Sequence, residues 1–597
     1  METLMDKKTA ICEISINGTK YQARPGATIL EACAAAGYAI PTLCHLPEVS
    51  SNASCGICVV EVKGAKSLLR SCVTKVTPGM DISTTTRRVL AARRTNLELI
   101  LANHPTECLS CLRNNNCELQ SMAAELGITQ VRFSPTKLRP EPLDTTSLSL
   151  VRDPNKCILC GRCVAVCEEM QTVNAIEISM RGIKSKVSTY MDRGLGNVAC
   201  TNCGQCSLVC PTGAIVEKDS TGEIWKNLLD PEKFVVVQTA PAIRIGLGEA
   251  MGLAPGSLVT GQMVAALRRL GFSRVFDTQF AADLTIMEEG HELIHRLETG
   301  GRLPMITSCS PGWIKFIEHF YPESLGHLST CKSPQQMFGS VAKTYFAEKA
   351  GIDPRNIVVV SIMPCTAKKY EARREEMTGA FDYWKDRLHL LDRERFYDVD
   401  FSLSTRELAR MLKQAGIRFE TLPDENFDDP LGESTGAAVI FGATGGVMEA
   451  ALRTAYEVVT RKTLPSLDLT AVRGMDGVKA ADIDLNGTVL KVAVAHTLKN
   501  ARVLLEEIKA GTSPYAFIEV MTCPGGCLGG GGQPIPTNSE IRKRRAESIY
   551  REDMGKGIRK SHENPAIMRL YKDFLGEPLG RKSHNLLHTA YTPRGVY

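Results

Sequence analysis

Apolar and polar residues alternate from Ile11 to Ile16, stop at Asn17-Gly18 and resume, a rhythm that predicts two strands joined by a tight turn. Beyond Pro25-Gly26 the period lengthens, and Thr28 to Ala36 reads as a helix. A Gly- and Cys-bearing loop, Cys44 to Cys58, then feeds a Val-rich strand, Val59 to Val62. Arg87 to Leu101 reads as a helix, and residues 122–150, with Pro135, Pro140 and Pro142 and a Ser/Thr-rich end, read as a linker. From Phe234 onward, Val-rich runs such as Phe234 to Gln238 and Ile357 to Ile362 alternate with helical stretches, Gly261 to Leu270 and Asp283 to Leu297 among them. That alternation predicts α/β structure with a mostly parallel sheet. After Gln533-Pro534 the chain turns Lys-, Arg- and Glu-rich with helical rhythm at Ile541 to Tyr550 and Ala566 to Phe574.

A chain of 597 residues exceeds what one core can fill, so several domains are expected. Its 43% hydrophobic and 23% charged residues suit folded globular protein. The net charge of +5 is too small to argue either way about nucleic acid, and none is expected as a partner. No signal-like apolar core follows Met1, and no apolar run is long enough to span a bilayer, so a cytoplasmic chain with no membrane partner is expected.

Twenty-two cysteines change the picture. In a reducing compartment such density points to metal rather than disulfides, and the spacing is local. Cys44, Cys55, Cys58 and Cys72 form a C-x10-C-x2-C-x13-C set that suits a 2Fe-2S cluster, with tetrahedral zinc as the competing occupant. His104, Cys108, Cys111 and Cys117 form a second set, for which iron-sulfur and zinc again compete. An internal repeat follows: Cys157, Cys160, Cys163 and Cys167, then Cys200, Cys203, Cys206 and Cys210 with Pro211. This is the bacterial two-cluster ferredoxin run, in which the fourth cysteine of each run ligates the other cluster. One site is therefore expected from Cys157, Cys160, Cys163 and Cys210, and the other from Cys200, Cys203, Cys206 and Cys167. Cys12, Cys33 and Cys331 fall outside all sets and are expected to be small buried residues. The glycine-rich Phe441 to Val447 run fits neither a P-loop nor G-x-G-x-x-G, and predicts close backbone approach to a cofactor or helix.

Three further turns carry cysteine beside proline: Thr307-Ser-Cys-Ser-Pro-Gly-Trp313, Met363-Pro-Cys-Thr-Ala-Lys-Lys369, and Met521-Thr-Cys-Pro-Gly-Gly-Cys527 followed by Gly529 to Gly532. They resemble the signature segments around the active-site iron cluster of the [FeFe] hydrogenases, and the resemblance extends over essentially the whole chain. It implies a β-grasp 2Fe-2S ferredoxin-like domain (1–82), a histidine-ligated 4Fe-4S domain (83–122) and a two-4Fe-4S ferredoxin-like domain (147–220). An α/β catalytic domain (230–535) and a helical small-subunit-like segment (538–597) follow. The implied cofactors are one 2Fe-2S cluster, three accessory 4Fe-4S clusters and the H-cluster, a 4Fe-4S cube joined to a two-iron unit bearing CO, CN and a dithiolate.

By the same resemblance Cys365, Cys523 and Cys527 ligate the cube. Met363, Met521, Gly525 and Gly526 wall the cofactor, and Lys368 hydrogen-bonds a cyanide. Family members commonly carry two adjacent cysteines in the first turn, a proton relay and then a cube ligand; here Cys309 is followed by Ser310. Either Ser310 supplies the fourth ligand or Cys309 shifts into it. The implied proton relay runs Cys309, Glu289, Ser329, Glu292, Arg296. On the expected helix Glu289, Glu292 and Arg296 share one arc, with Ile286 and Leu293 bordering Glu289, although an exposed Glu–Arg pair would give the same spacing. The implied activity is reversible H2 oxidation and proton reduction. The implied partners are flavoprotein, NAD(P)-binding and small iron-sulfur subunits, a ferredoxin, or a formate dehydrogenase subunit. An electron-transfer subunit similar to the NADH dehydrogenase iron-sulfur protein, and a non-catalytic hydrogenase-like protein, are the competing readings.

Overall fold

The computed structural model describes residues 12–136, 140–485 and 488–595; Ile11 and the chain start lie outside them. The first unit is a five-stranded sheet ordered Thr19–Ala23, Cys12–Ile16, Asp81–Ser83, Val59–Val62, Leu69–Arg70. Only the Cys12–Ile16 and Asp81–Ser83 pair is parallel. The helix Ile29–Ala35, opened by a Thr28–Glu31 capping box, covers one face with Ile29 and Cys33 over Ile14, Ile16 and Val60.

The helix Arg87–Leu101 forms where its sequence period predicts. The expected linker starts later than residue 122, because Glu118–Glu125 is helical and buries Leu119 and Met122. Its far end also gains structure: Leu150–Arg152 pairs antiparallel with Ile215–Glu217, closing the double-repeat unit on itself.

The remaining α/β body holds two four-stranded sheets. One, ordered Arg274–Asp277, Phe234–Thr239, Ile357–Met363, Phe401–Ser404, is wholly parallel. The other, ordered Met305–Ile306, Phe517–Met521, Thr488–His496, Val478–Leu485, is parallel except for its last pair. Strands buried on both faces read as continuous apolar runs, which is why Ile357–Met363 is buried at every position. The helix Thr278–Thr299 runs from an Asp277 cap between these layers and is buried along most of its length. C-terminal helices Ser539–Gly555, Pro565–Leu570 and Arg581–Leu587 complete the core: Ile567, Leu570, Leu586 and Leu587 pack with Phe276, Phe338 and Val359. Among the described residues no helix is long and apolar enough to cross a membrane.

Candidate iron-sulfur and catalytic site

Open parallel sheets place ligands beyond the carboxyl ends of their strands, and three such ends meet here. Ile306, Met363 and Met521 close their strands, and the cysteine turns follow immediately. Together they line a largely apolar cavity walled by Cys309, Ser310, Met363, Cys365, Lys368, Met521, Cys523, Gly526 and Cys527. Gly525 and Gly526 both take positive φ (72° and 79°), which turns the chain tightly enough for Cys523 and Cys527 to face the same space. A Cβ on Gly526 would lie 2.8 Å from the Thr444 nitrogen, so the glycine-rich 441–447 run is packed against this turn. That run also cradles a carboxylate: the Gly445 and Met448 N–H groups each donate to Glu519 at 2.7 Å.

Burial raises the thiol pKa of Cys365, Cys523 and Cys527, the last to about 12. Several thiols crowded into a dry apolar space ionise only when a cation compensates them, so this donor set fits soft, thiolate-bound iron. Ser310 is otherwise engaged, its hydroxyl 2.7 Å from Thr522 Oγ1 and accepting the Thr522 N–H at 3.3 Å. Lys368 Nζ donates to the Cys309 carbonyl at 3.1 Å and to Glu371 at 2.8 Å, which holds its cation at the cavity wall.

The accessory sets are stitched together by backbone contacts. In the first, Cys58 and Cys72 sulfurs lie 3.3 Å apart, and Cys44 interacts with Cys55 and Cys72. In the second, His104 donates through Nδ1 to the Pro105 carbonyl at 2.8 Å while Nε2 is buried without a hydrogen-bond partner among the described residues. A buried imidazole nitrogen without a hydrogen-bond partner fits a metal ligand, and burial lowers the ring's pKa. Cys157, Cys160, Cys163 and Cys210 line one cavity; Cys167 does not line it and instead has Cys200 as its strongest charge neighbour.

Asn52, in the first cysteine loop, donates to the Cys160 carbonyl, and the Glu118 N–H beside Cys117 donates to the Pro211 carbonyl. Both outer sets therefore abut the 157/160/163/210 cavity. At the inner end Cys203 itself lines the catalytic cavity, and a Cβ on Gly531 would sit 2.2 Å from the Cys203 carbonyl. The sequence motif assigned Cys203 to a cluster but carried no sign of this junction.

On the proton side, Glu289 is 1% exposed, and neither carboxyl oxygen makes a well-formed hydrogen bond among the described residues, although Ser329 and the Ser308 backbone lie close enough to favour its charged form. Burial, then the neighbouring Glu292, pushes its pKa up to about 8. Ser329 donates to Glu292 at 2.8 Å, and Arg296 donates to the same carboxylate at 2.6 Å and to the Leu328 carbonyl. The Glu292–Arg296 pair is mostly buried, unlike the exposed pair that the same spacing would also allow. Cys12, Cys33 and Cys331 are all buried. Gln335 lines the catalytic cavity and escaped the sequence reading, since it stands in no cysteine motif and only its place in the buried helix Pro334–Val341 marks it; Phe441, which opens the glycine-rich run, lines the cavity too.

Comparison with known proteins adds family assignments for each segment. The C-terminal domain of the iron-only hydrogenase large subunit matches residues 233–531, and the iron hydrogenase small subunit matches 539–594. Upstream, a 2Fe-2S iron-sulfur cluster binding domain matches 10–87. The iron-sulfur binding region of NADH-ubiquinone oxidoreductase G matches 93–132, and a 4Fe-4S dicluster domain matches 156–214. The chain is 50% identical to the NADP-reducing hydrogenase subunit HndD of Solidesulfovibrio fructosivorans, over 97% of this chain and 99% of that protein. It is 38% identical to iron hydrogenase 1 of Clostridium pasteurianum, again over 97% and 99%. The solved structure of [FeFe]-hydrogenase HydA1 from Chlamydomonas reinhardtii, variant E141A, is 43% identical and superposes with a TM-score of 0.55, covering 63% of this chain and all of that one.

Proposed function

Because the chain belongs to the iron-only hydrogenase family, we propose that its cysteine-lined cavity interconverts H2 with two protons and two electrons, the electrons passing through the accessory clusters to a partner flavoprotein that reduces NADP. The catalytic domain and the cluster domains are those of an [FeFe] hydrogenase catalytic subunit carrying 2Fe-2S, 4Fe-4S and H-cluster cofactors. The electron-transfer and non-catalytic readings are not favoured, since the relatives aligned over 97% of the chain, at 50% and 38% identity, are hydrogenases. The single observation that carries the reading is the meeting of Cys309, Cys365, Cys523, Cys527 and Lys368 at one buried cavity that Cys203 also lines.

The H-cluster supplies redox-active iron at which H2 is made or split. In the proposed assignment Cys365, Cys523 and Cys527 would hold it, and Lys368, fixed by Glu371, would offer an N–H to its cyanide. Cys309 passes protons to Glu289, from which Ser329, Glu292 and Arg296 lead outward. The fourth cube ligand would come from Ser310, released from Thr522, or from Cys309 shifted into its place. Met363, Met521 and the apolar wall exclude water, which keeps proton traffic on the titratable side chains.

The NADP assignment rests on the name of the S. fructosivorans relative, and this chain contributes no nucleotide fingerprint of its own, so separate subunits of a hetero-oligomer are the expected acceptors. The matured chain should reduce a viologen dye with H2 while leaving NADP untouched until its flavoprotein subunit is added. H2-dependent NADP reduction by the chain alone, or no dye reduction by fully loaded protein, would overturn the proposal.

A further inference from the structure

The C-terminal segment crosses the proton side of the site. Thr330 to Lys332 and Leu587 to Thr589 zip together: Lys332 N–H donates to the Leu587 carbonyl and Thr589 N–H to the Thr330 carbonyl, both at 2.7 Å, around an antiparallel Cys331–His588 bridge. This seats the His588 ring among relay-side groups. One ring nitrogen, Nδ1, lies 2.8 Å from Thr330 Oγ1, and Nε2 lies 3.1 Å from Glu288. Cys331 Sγ points at Glu292 Oε2 from 3.7 Å, and donor atoms of Glu292, Cys331 and His588 all lie within 4.8 Å of one another. Outward, the exposed His584 ring stacks on His588 with centroids 4.6 Å apart and planes 9° from parallel. Thr330 is itself partly exposed.

We propose that His588 is a second proton inlet, delivering protons from the surface to Glu292 through Cys331, in parallel with the Arg296 exit and resting on the assignment of Glu292 to the relay. A proton taken up by the imidazole from the Thr330 and His584 side makes an imidazolium. The ring then leaves one of its resting partners, Thr330 or Glu288, to give an N–H proton to Cys331 sulfur, which lies within 4.8 Å, as the Cys331 S–H proton moves to Glu292; this restores neutral His588 and the thiol and leaves a carboxylic acid beside Ser329. The ionisable groups facing His588 are Glu288 and Glu292 on the helix Thr278–Thr299, Cys331 beside it, and Tyr571 and His584 from the C-terminal helices, with Arg296 beyond Glu292.

The test compares Arg296→Leu, His588→Gln, the double variant and Glu292→Gln as matured holoenzymes, with the CO and CN infrared bands verifying equal cofactor loading. If His588 is an inlet, Arg296→Leu retains turnover that falls by about tenfold or more when His588→Gln is added, with the pH profile of the remainder altered. A double variant equal to Arg296→Leu ends the inlet while leaving the relay standing. Glu292→Gln with near wild-type turnover ends the relay assignment itself. In the chain prepared without its active-site cofactor, the His588 titration followed by 15N NMR should shift when Glu292→Gln removes the facing carboxylate; an unchanged titration refutes the coupling.

Discussion

Glu289 is the residue on which the outward proton route narrows, because its carboxyl has neither solvent nor a fixed hydrogen-bond partner among the described residues. With the folded-state pKa at about 8 against an ordinary 4.5, the folded chain holds a proton across that window that the unfolded chain has lost. Stability from this group is therefore present at low pH and falls as pH rises from about 4.5 to about 8. Glu289→Gln removes the titration, so the melting temperature of the variant relative to wild type should climb as pH goes from about 5 to about 8. Calorimetry at several pH values checks this, and a pH-independent difference would contradict it. The same variant should lose about a hundredfold or more of H2 turnover with CO and CN bands intact, since an amide keeps the shape but carries no proton. Cys309→Ala separates the two assignments of the first turn. An intact cube by EPR with slow turnover leaves Cys309 as the relay, and loss of the cube makes it the ligand.

Elements set which clusters share ligands. The antiparallel pairing of Leu150–Arg152 with Ile215–Glu217 brings the ends of the two cysteine runs across each other, so that Cys210 lies with Cys157, Cys160 and Cys163. Cys157→Ala should therefore broaden or abolish the EPR signal of the cluster that Cys210 also holds and spare the Cys200 cluster more; equal damage to both, or damage only to the latter, would count against the crossing. The histidine-bearing segment makes a compositional prediction. Nε2 of His104 is free to bind metal, and the expected occupant is iron: metal analysis of fully loaded protein should find no stoichiometric zinc.

At the scale of the whole molecule, the C-terminal segment is part of the catalytic core rather than an appendage. Asp553, fully buried, accepts from Arg453 at 2.8 Å and from Arg559, and Arg453 is itself fully buried. Asp553→Ala leaves that guanidinium without one of its two buried carboxylates and should cost about 3–5 kcal/mol, read by denaturant unfolding. Arg244 ties the layers in the same way, reaching Asp277 at 2.8 Å and Glu552 at 3.1 Å. Cleaving the chain between residues 533 and 539 should therefore leave the two pieces co-eluting in size-exclusion chromatography, held by Ile549, Ile567, Leu570 and Leu587 in the core. Separation without denaturant would refute this.

The sequence by itself determined the cysteine ligand sets, because thiolate spacing is a local constraint: a two-residue gap between cysteines places both sulfurs on one turn whatever the rest of the chain does, while iron in place of zinc and the hydrogen chemistry came from the resemblance of the three cysteine turns. Strand and helix positions were equally legible where the apolar period was clean, as at Arg87–Leu101 and Ile357–Met363. The tertiary structure alone decided what depends on residues far apart in the chain. Cys331 and His588 look like an ordinary buried cysteine and a tail histidine until the C-terminal segment zips against the relay. Cys203 becomes a wall of the catalytic cavity only when Gly531 packs on its carbonyl. Ile286 and Leu293 beside Glu289 already suggest a raised pKa from the helix pattern, but a solvated Glu–Arg face has the same spacing, and only the surroundings contributed by several segments decide its burial.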